Sequence, residues 1–395
     1  MPDLPDLPDD DPAGVLSVLS EDETRAVEQV LGAAWDAPVT LAGAEIFWER
    51  PHVVRVTAGD RRTAILKRPR AAGDNQWTDE PLALALEWAS LELLSDMPVA
   101  VAPRLLGGDA ERSLVLLEEL PPGRSLADDL MGDDAAAAEA GLVAYATALA
   151  EVHAWSRGRR ATFEDLLRSR GRGLSTPPVA TPPVWARRVA RADDGFGTAA
   201  ERDEVVRLLT GDDDRSVFVH GDPCPDNVLI TGGRCRIFDF ERSSWGSAAL
   251  DAAYLVAPFP SCWCFGALPD RVAAAARDAY RSAAGAGGLV VDGERWEAET
   301  AAALAAFLIA RAHVFANPDH AWGTTTLGPR LVAWADAFLA APGSAAFPRL
   351  VADTTERRDQ LLLAAATATD PVAYPALPIP GVRTAIIDPD TEAPS

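Results

Sequence analysis

Residues 217–230 read Val217-Phe218-Val219-His220-Gly221-Asp222-Pro223-Cys224-Pro225-Asp226-Asn227-Val228-Leu229-Ile230, and residues 236–241 read Arg236-Ile237-Phe238-Asp239-Phe240-Glu241. Three short apolar runs, 217 to 219, 228 to 230 and 236 to 238, have the composition of strands. Each adjoins a polar residue that a core would not keep. Asp222, Asn227 and Asp239 are therefore predicted to gather at the ends of β structure in one short region. Two carboxylates and an amide are hard oxygen donors, of the kind that hold Mg²⁺ through few protein ligands and complete its shell with substrate phosphates.

Phosphate chemistry of that sort also needs a cation reaching in from elsewhere in the chain. Val53 to Thr57 and Thr63 to Lys67 are two β-rich runs around Ala58-Gly59-Asp60-Arg61, the pattern of a hairpin, and the inward alternation Thr63, Ile65, Lys67 ends on a lysine. The next segment, Asp79 to Leu94, reads as a helix opened by an acid and Pro81. Its apolar stripe runs through Leu84, Trp88, Leu91 and Leu94, and spacing puts Glu87 inside that stripe. A carboxylate buried there requires a cationic partner or several hydrogen bonds. Lys67 is the expected one, with Glu80 a rival for the same role. A second hairpin is predicted to turn at Gly107-Gly108-Asp109, so that the region forms a small antiparallel sheet with one helix packed on it.

Further outward, the 395 residues are enough for two or three structural units. Residues 1–13, rich in Pro and Asp, are predicted to be disordered, and Ser20 with Glu23 forms a capping box ahead of a helix whose apolar face is Ala26, Val27, Val30 and Leu31. The stop at Leu117-Glu118-Glu119-Leu120-Pro121-Pro122-Gly123 marks a boundary: 14–120 as the β-rich unit, 121–370 as a helical unit, 371–395 as an extended Pro-rich tail. Helices are predicted at Ala135 to His153, Arg202 to Leu209, Leu250 to Val256, Arg271 to Ala284, Trp296 to Phe315 and Leu331 to Leu339. Thirty-six basic against 59 acidic residues give a formal charge of −23, which disfavours nucleic acid and anionic membrane as partners and favours a cationic small molecule. Four cysteines do not form a secreted disulfide framework; a cytoplasmic location is expected, with Cys262 and Cys264 used in packing.

Asp222 and Asn227 are five residues apart, the separation of acid and amide in the protein-kinase catalytic loop, and Asp239-Phe240-Glu241 stands in the place of its D-F-G. Over roughly residues 40 to 340 the sequence resembles the aminoglycoside phosphotransferases and their relatives, including choline, macrolide and homoserine kinases. The elements that carry the resemblance are H-G-D-x-x-x-x-N, D-F-E, the hinge-like Leu117 to Pro121, and the helical segments Leu149 to His153 and Leu250 to Tyr254. It implies an α+β, bilobal protein-kinase-like fold, with a small antiparallel-sheet N-lobe carrying one helix and a mainly helical C-lobe. It further implies a small-molecule phosphotransferase using ATP or GTP with Mg²⁺. In that reading Asp222 orients or deprotonates the acceptor hydroxyl and Asn227 and Asp239 hold the metal. Lys67, held by Glu87, contacts the phosphates, and the backbone from Glu118 to Leu120 holds the purine. The acceptor would be a small-molecule hydroxyl compound, with a cationic antibiotic or amino sugar leading, and the protein a monomer or homodimer. Two alternatives are a kinase of Ser or Thr in a peptide and a pseudokinase binding module. The last draws on one departure: Leu41 to Arg50, where a glycine-rich lid belongs, has a single glycine and the carboxylates Glu45 and Glu49.

Other polar residues invite plainer readings. His153 and His220 are expected to hold loops and helices together, and Asp251 to cap a helix or tie the catalytic loop down. Asp226 is open between roles. The tryptophans read as core, with Trp263 and Trp322 the two that could line an acceptor pocket.

Overall fold

The structure, a computed structural model, describes residues 18–47, 50–70, 80–171, 184–192, 195–211, 214–259, 261–312, 315, 317–364 and 369–385. The expected disordered segment, 1–13, the start of the second helix at Asp79 and the Pro-rich stretch Pro177 to Pro183 lie outside these residues. The first helix, α1 (Glu21–Trp35), begins as the sequence requires: the Ser20 hydroxyl accepts from the Glu23 amide, and the Glu23 carboxylate accepts from the Ser20 amide. A sheet follows, built from β1 (Leu41–Phe47), β2 (Arg50–Ala58), β3 (Thr63–Lys67), β4 (Leu105–Asp109) and β5 (Leu114–Glu118), with the helix α2 (Glu80–Leu94) inserted after β3. The strand order is β1-β2-β3-β5-β4 and every pairing is antiparallel.

Period-two alternation gives this sheet two different faces. Val54, Val56, Ala64, Leu66 and Leu116 pack against Val27 and Leu31 of α1. Ile65, Val115 and Leu117 turn the other way, into the core that holds Leu84, Trp88 and Leu91 of α2. The sheet thus carries a helix on each face, where one was expected, and Lys67 lies on the α2 side opposite Val53. The second hairpin turns at residues 110–113 instead of at its glycines, which lie within β4 at a register shift. A Cβ on Gly108 would meet the Leu114 carbonyl at 2.4 Å and the Trp88 ring at 2.7 Å, so glycine is what allows α2 to lie on the strand.

Beyond the linker the chain forms β6 (Arg124–Ser125), α3 (Leu126–Met131), α4 (Ala135–Ser156), α5 (Arg160–Arg170), α6 (Val184–Arg191) and α7 (Ala199–Thr210). Then come β7 (Val217–Val219), a 3₁₀ turn at Pro225–Asn227, β8 (Val228–Thr231), β9 (Arg234–Ile237), β10 (Ser244–Gly246) and the short α8 (Ala249–Ala252). The last part consists of α9 (Asp270–Ala286), α10 (Gly293–Ala310), β11 (Ala321–Trp322), β12 (Thr325–Thr326), α11 (Leu327–Ala340), α12 (Pro348–Ala364) and a parallel pair, β13 (Val372–Ala373) with β14 (Arg383–Thr384). By length and composition α4 is apolar enough to cross a membrane; here its Leu142, Tyr145, Ala146 and Leu149 are buried in the core. Helix α10 stops at Ala310, earlier than expected, and the turn at Arg311 sends that side chain to the central cleft.

The cysteine reading is corrected. Cys224, in the loop after β7, forms a disulfide with Cys262, with Cα atoms 5.8 Å apart, while Cys235 and Cys264 are buried thiols. Packing is therefore the role of Cys264 and not of Cys262, and the cysteines no longer argue for a reducing compartment.

Candidate active site

The loop from His220 to Asn227 leaves β7 through Gly221, whose φ is +81°; a Cβ there would lie 2.3 Å from the Arg242 carbonyl. Only glycine permits that conformation together with so close an approach. From the far side the buried Asp251 on α8 accepts the amides of His220 at 2.6 Å and Gly221 at 3.0 Å, and His153 Nε2 lies 3.1 Å from it. His153 Nδ1 in turn meets the Tyr280 hydroxyl at 2.7 Å. Burial alone would raise the Asp251 carboxyl; the bonds from His153 and from the His220 amide help outweigh it and hold the group below the ordinary carboxylate range. Asp251 and both histidines are ties, as the sequence indicated.

His220 joins the two halves of the motif. Its Nδ1 accepts the Asp222 amide at 3.2 Å, which leaves Nε2 to donate to the Phe238 carbonyl at 2.9 Å. Asn227 Nδ2 donates to the Asp222 carbonyl at 3.0 Å, and the Phe238 amide donates to the Asn227 carbonyl at 3.0 Å. Asn227 precedes β8 instead of ending it, yet these bonds still bring Asp222, Asn227 and Asp239 to one cavity of about 220 Å³.

Lys67 spans the two lobes. Its Nζ lies 2.8 Å from Glu87 Oε1 on α2 and 2.7 Å from Asp239 Oδ1. Burial opposes the lysine charge, but Asp239 and Glu87 overcome it, so the ammonium is held protonated and Asp239 ionised. Burial pushes the Glu87 carboxyl up, and its Oε2 is buried without a hydrogen-bond partner among the described residues. The predicted pair between strand and helix is present, and Glu87 is its acid.

The hinge residues sit apart from the cavity. Glu118 closes β5, where its amide donates to the Arg104 carbonyl and its Oε1 accepts from the Arg104 amide, both at 2.9 Å. Leu120 lies two residues further on, half-buried; neither lines the cavity. At the lid position Glu45 is exposed and paired with Arg55 at 3.1 Å, which removes one of the two suspected repulsive carboxylates, and Glu49 lies outside the described residues.

Arginines are what the sequence reading missed. Arg50, Arg70, Arg188, Arg242 and Arg311 all line the cavity. Arg70 pairs with Glu241 at 3.0 Å and donates to His52 Nε2 at 3.2 Å. Burial and the Arg70 charge keep His52 neutral, its pKa drawn down to about 4. Arg242 Nη1 lies 2.9 Å from Asp222 Oδ2. Burial and then Asp239 push the Glu241 carboxyl up to about 7. Asp226, also lining the cavity, accepts from Trp263 Nε1 at 3.1 Å, and its other oxygen is buried without a partner among the described residues. Only Arg242 carried a local signal, following Glu241 directly; the others converge through tertiary structure.

The donor set fits a divalent cation shared with phosphates. Asn227 commits its nitrogen to Asp222 and keeps its side-chain oxygen, and Lys67 engages Asp239 through one carboxylate oxygen. Among the described residues no cluster of three or more His, Cys, Asp or Glu forms a self-sufficient metal site, so water and phosphate oxygens would have to complete the shell.

The family model described as the phosphotransferase enzyme family matches residues 48–289. No curated protein matches the chain. Among solved structures it is similar to a provisionally assigned aminoglycoside phosphotransferase from Ralstonia eutropha, at 16% identity and a TM-score of 0.49 over 85% of this chain and 98% of that one. Macrolide 2'-phosphotransferase from Brachybacterium faecium is similar at 16% identity and a TM-score of 0.45 over 81% and 98%. A choline kinase from Cryptosporidium parvum is similar at 12% identity and a TM-score of 0.45 over 87% and 98%.

Proposed function

Because the chain belongs to the phosphotransferase enzyme family, we propose that it moves the γ-phosphoryl group of ATP or GTP to a hydroxyl of a small molecule. The observation that carries this is Lys67, bound at once to Glu87 and to Asp239 beside Asp222 and Asn227. One lysine so placed positions phosphate oxygens of a nucleotide between the lobes. Asn227 and Asp239 would hold Mg²⁺, whose chemistry when bound is to neutralise charge on those oxygens.

The remaining work falls to the chain's own groups. Arg50 and Arg70 face the cavity from the sheet side and supply positive charge to the phosphates. The purine would lie against the backbone from Glu118 to Leu120. Asp222, oriented by Arg242, takes the proton of the acceptor hydroxyl as its oxygen bonds to the γ-phosphorus. The bond from that phosphorus to the bridging oxygen breaks, and the nucleoside diphosphate leaves with the electron pair. Because charge sits on the phosphoryl oxygens throughout, positioning and fixed charges account for most of the rate.

Asp222→Asn tests the assignment. Turnover should fall by about a hundredfold or more, while the rise in melting temperature on adding Mg²⁺ with ATP is retained. Equal rates in variant and wild type would remove Asp222 from the reaction.

A further inference from the structure

The net charge of −23 pointed to a cationic acceptor, but the cavity has a different sign. Among the described residues five arginines line it against four carboxylates; Arg50 and Arg70 come from the N-lobe, while Arg188, Arg242 and Arg311 share the C-lobe half with all four acids. Trp185 and Arg188 come from α6 and Arg311 from the end of α10. The Arg188 guanidinium lies 5.4 Å from the centre of the Trp185 ring and the Arg311 guanidinium 5.7 Å from the same ring, so one indole carries both cations. Arg242 adds a third, on Asp222. Each of those carboxylates already has a partner: Arg242 for Asp222, Trp263 Nε1 for Asp226, Lys67 for Asp239 and Arg70 for Glu241. Burial and the charges of Arg311 and Arg242 draw the Arg188 pKa down to about 9. Like charges gathered on an aromatic wall beside the proposed base would repel an amine and suit an oxyanion, which guanidinium groups grip through paired hydrogen bonds.

We propose that the acceptor is a hydroxyl compound bearing its own carboxylate or phosphate group, and that Arg188 and Arg311 bind that anion while Trp185 carries the body of the molecule. This rests on the phosphotransferase reading and deepens it. Arg188 and Arg311 act as specificity determinants: they select which hydroxyl compound reaches Asp222.

The test is labelled-phosphate transfer from ATP with Mg²⁺ to a matched panel: glucose as neutral parent, glucose 6-phosphate and gluconate as anions, glucosamine and kanamycin as cations. An anionic member should be phosphorylated with the lowest KM. Arg188→Gln should raise that KM by about tenfold or more with kcat within about twofold, and Arg188→Lys should recover part of the loss. If Arg188→Gln does not fold, Arg188→Lys, which keeps the charge without the fork, is the variant whose KM must rise. Preference for the amines, or a KM indifferent to Arg188, overturns the proposal. No transfer to either anion while Mg²⁺ and ATP still raise the melting temperature overturns the acceptor assignment alone. No such rise, with no transfer to any member, overturns the phosphotransferase reading beneath it.

Discussion

Asp251 does not line the cavity, yet two amides of the catalytic loop and one imidazole converge on its carboxylate. Its charge is the fixed point from which Asp222 is placed. Removing it leaves buried donors unsatisfied, so Asp251→Asn should cost about 3 kcal/mol at neutral pH. Because the folded carboxyl is held below its ordinary range, the native state binds fewer protons than the unfolded chain in mild acid. The contribution is therefore complete at neutral pH and is lost as pH falls below about 4. Denaturation of wild type and variant from pH 7 to pH 3 should show the gap closing on the acid side; a gap constant with pH would mean that the carboxylate's charge does not hold the loop. At this scale the sequence was most legible where a residue's own position forbids a core role. Asp222, Asn227 and Asp239 sit against apolar runs, and Glu87 sits inside an apolar stripe, so each demanded an explanation. The arginines of the cavity made no such demand: a guanidinium on a surface helix and one aimed inward, as Arg188 and Arg311 are, look alike in one dimension.

The elements were legible to the extent that their inward positions are apolar. The hairpin of β2 and β3 pairs Thr57 with Thr63 and Val53 with Lys67, the expected limits. Helix α12 went unpredicted because two of its buried positions, Asp353 and Thr354 beside Leu350 and Leu361, are polar: Asp353 accepts the Gly197 amide, and the inward stripe does not read as hydrophobic. In sequence the β4 glycines read as a turn, whereas in the fold Gly108 admits the Trp88 ring. Gly108→Ala would place a methyl against the Leu114 carbonyl and the indole, and should lower the unfolding free energy by about 1–3 kcal/mol. A fall in the denaturant midpoint at constant slope would show it. An unchanged midpoint would mean that α2 is not seated on β4 through Trp88.

For the whole molecule, global and local charge have opposite signs. The chain carries 36 basic against 59 acidic residues, while among the described residues the cavity gathers five arginines against four acids. An anion far from the protein meets the acidic surface; only at the cleft does it meet the guanidinium groups. Salt screens these two regimes unequally. The Debye length falls from about 30 Å at 0.01 M to about 10 Å at 0.1 M, which suppresses the distant repulsion, whereas partly buried charges are screened much less. Over that range kcat/KM for ATP with Mg²⁺ should rise with added salt, the reverse of ordinary electrostatic steering, with kcat nearly constant. Steady-state kinetics across a potassium chloride series at fixed pH measure it. A steady fall from the lowest salt upward would show that the field of the arginines reaches past the acidic surface and governs approach as well as binding.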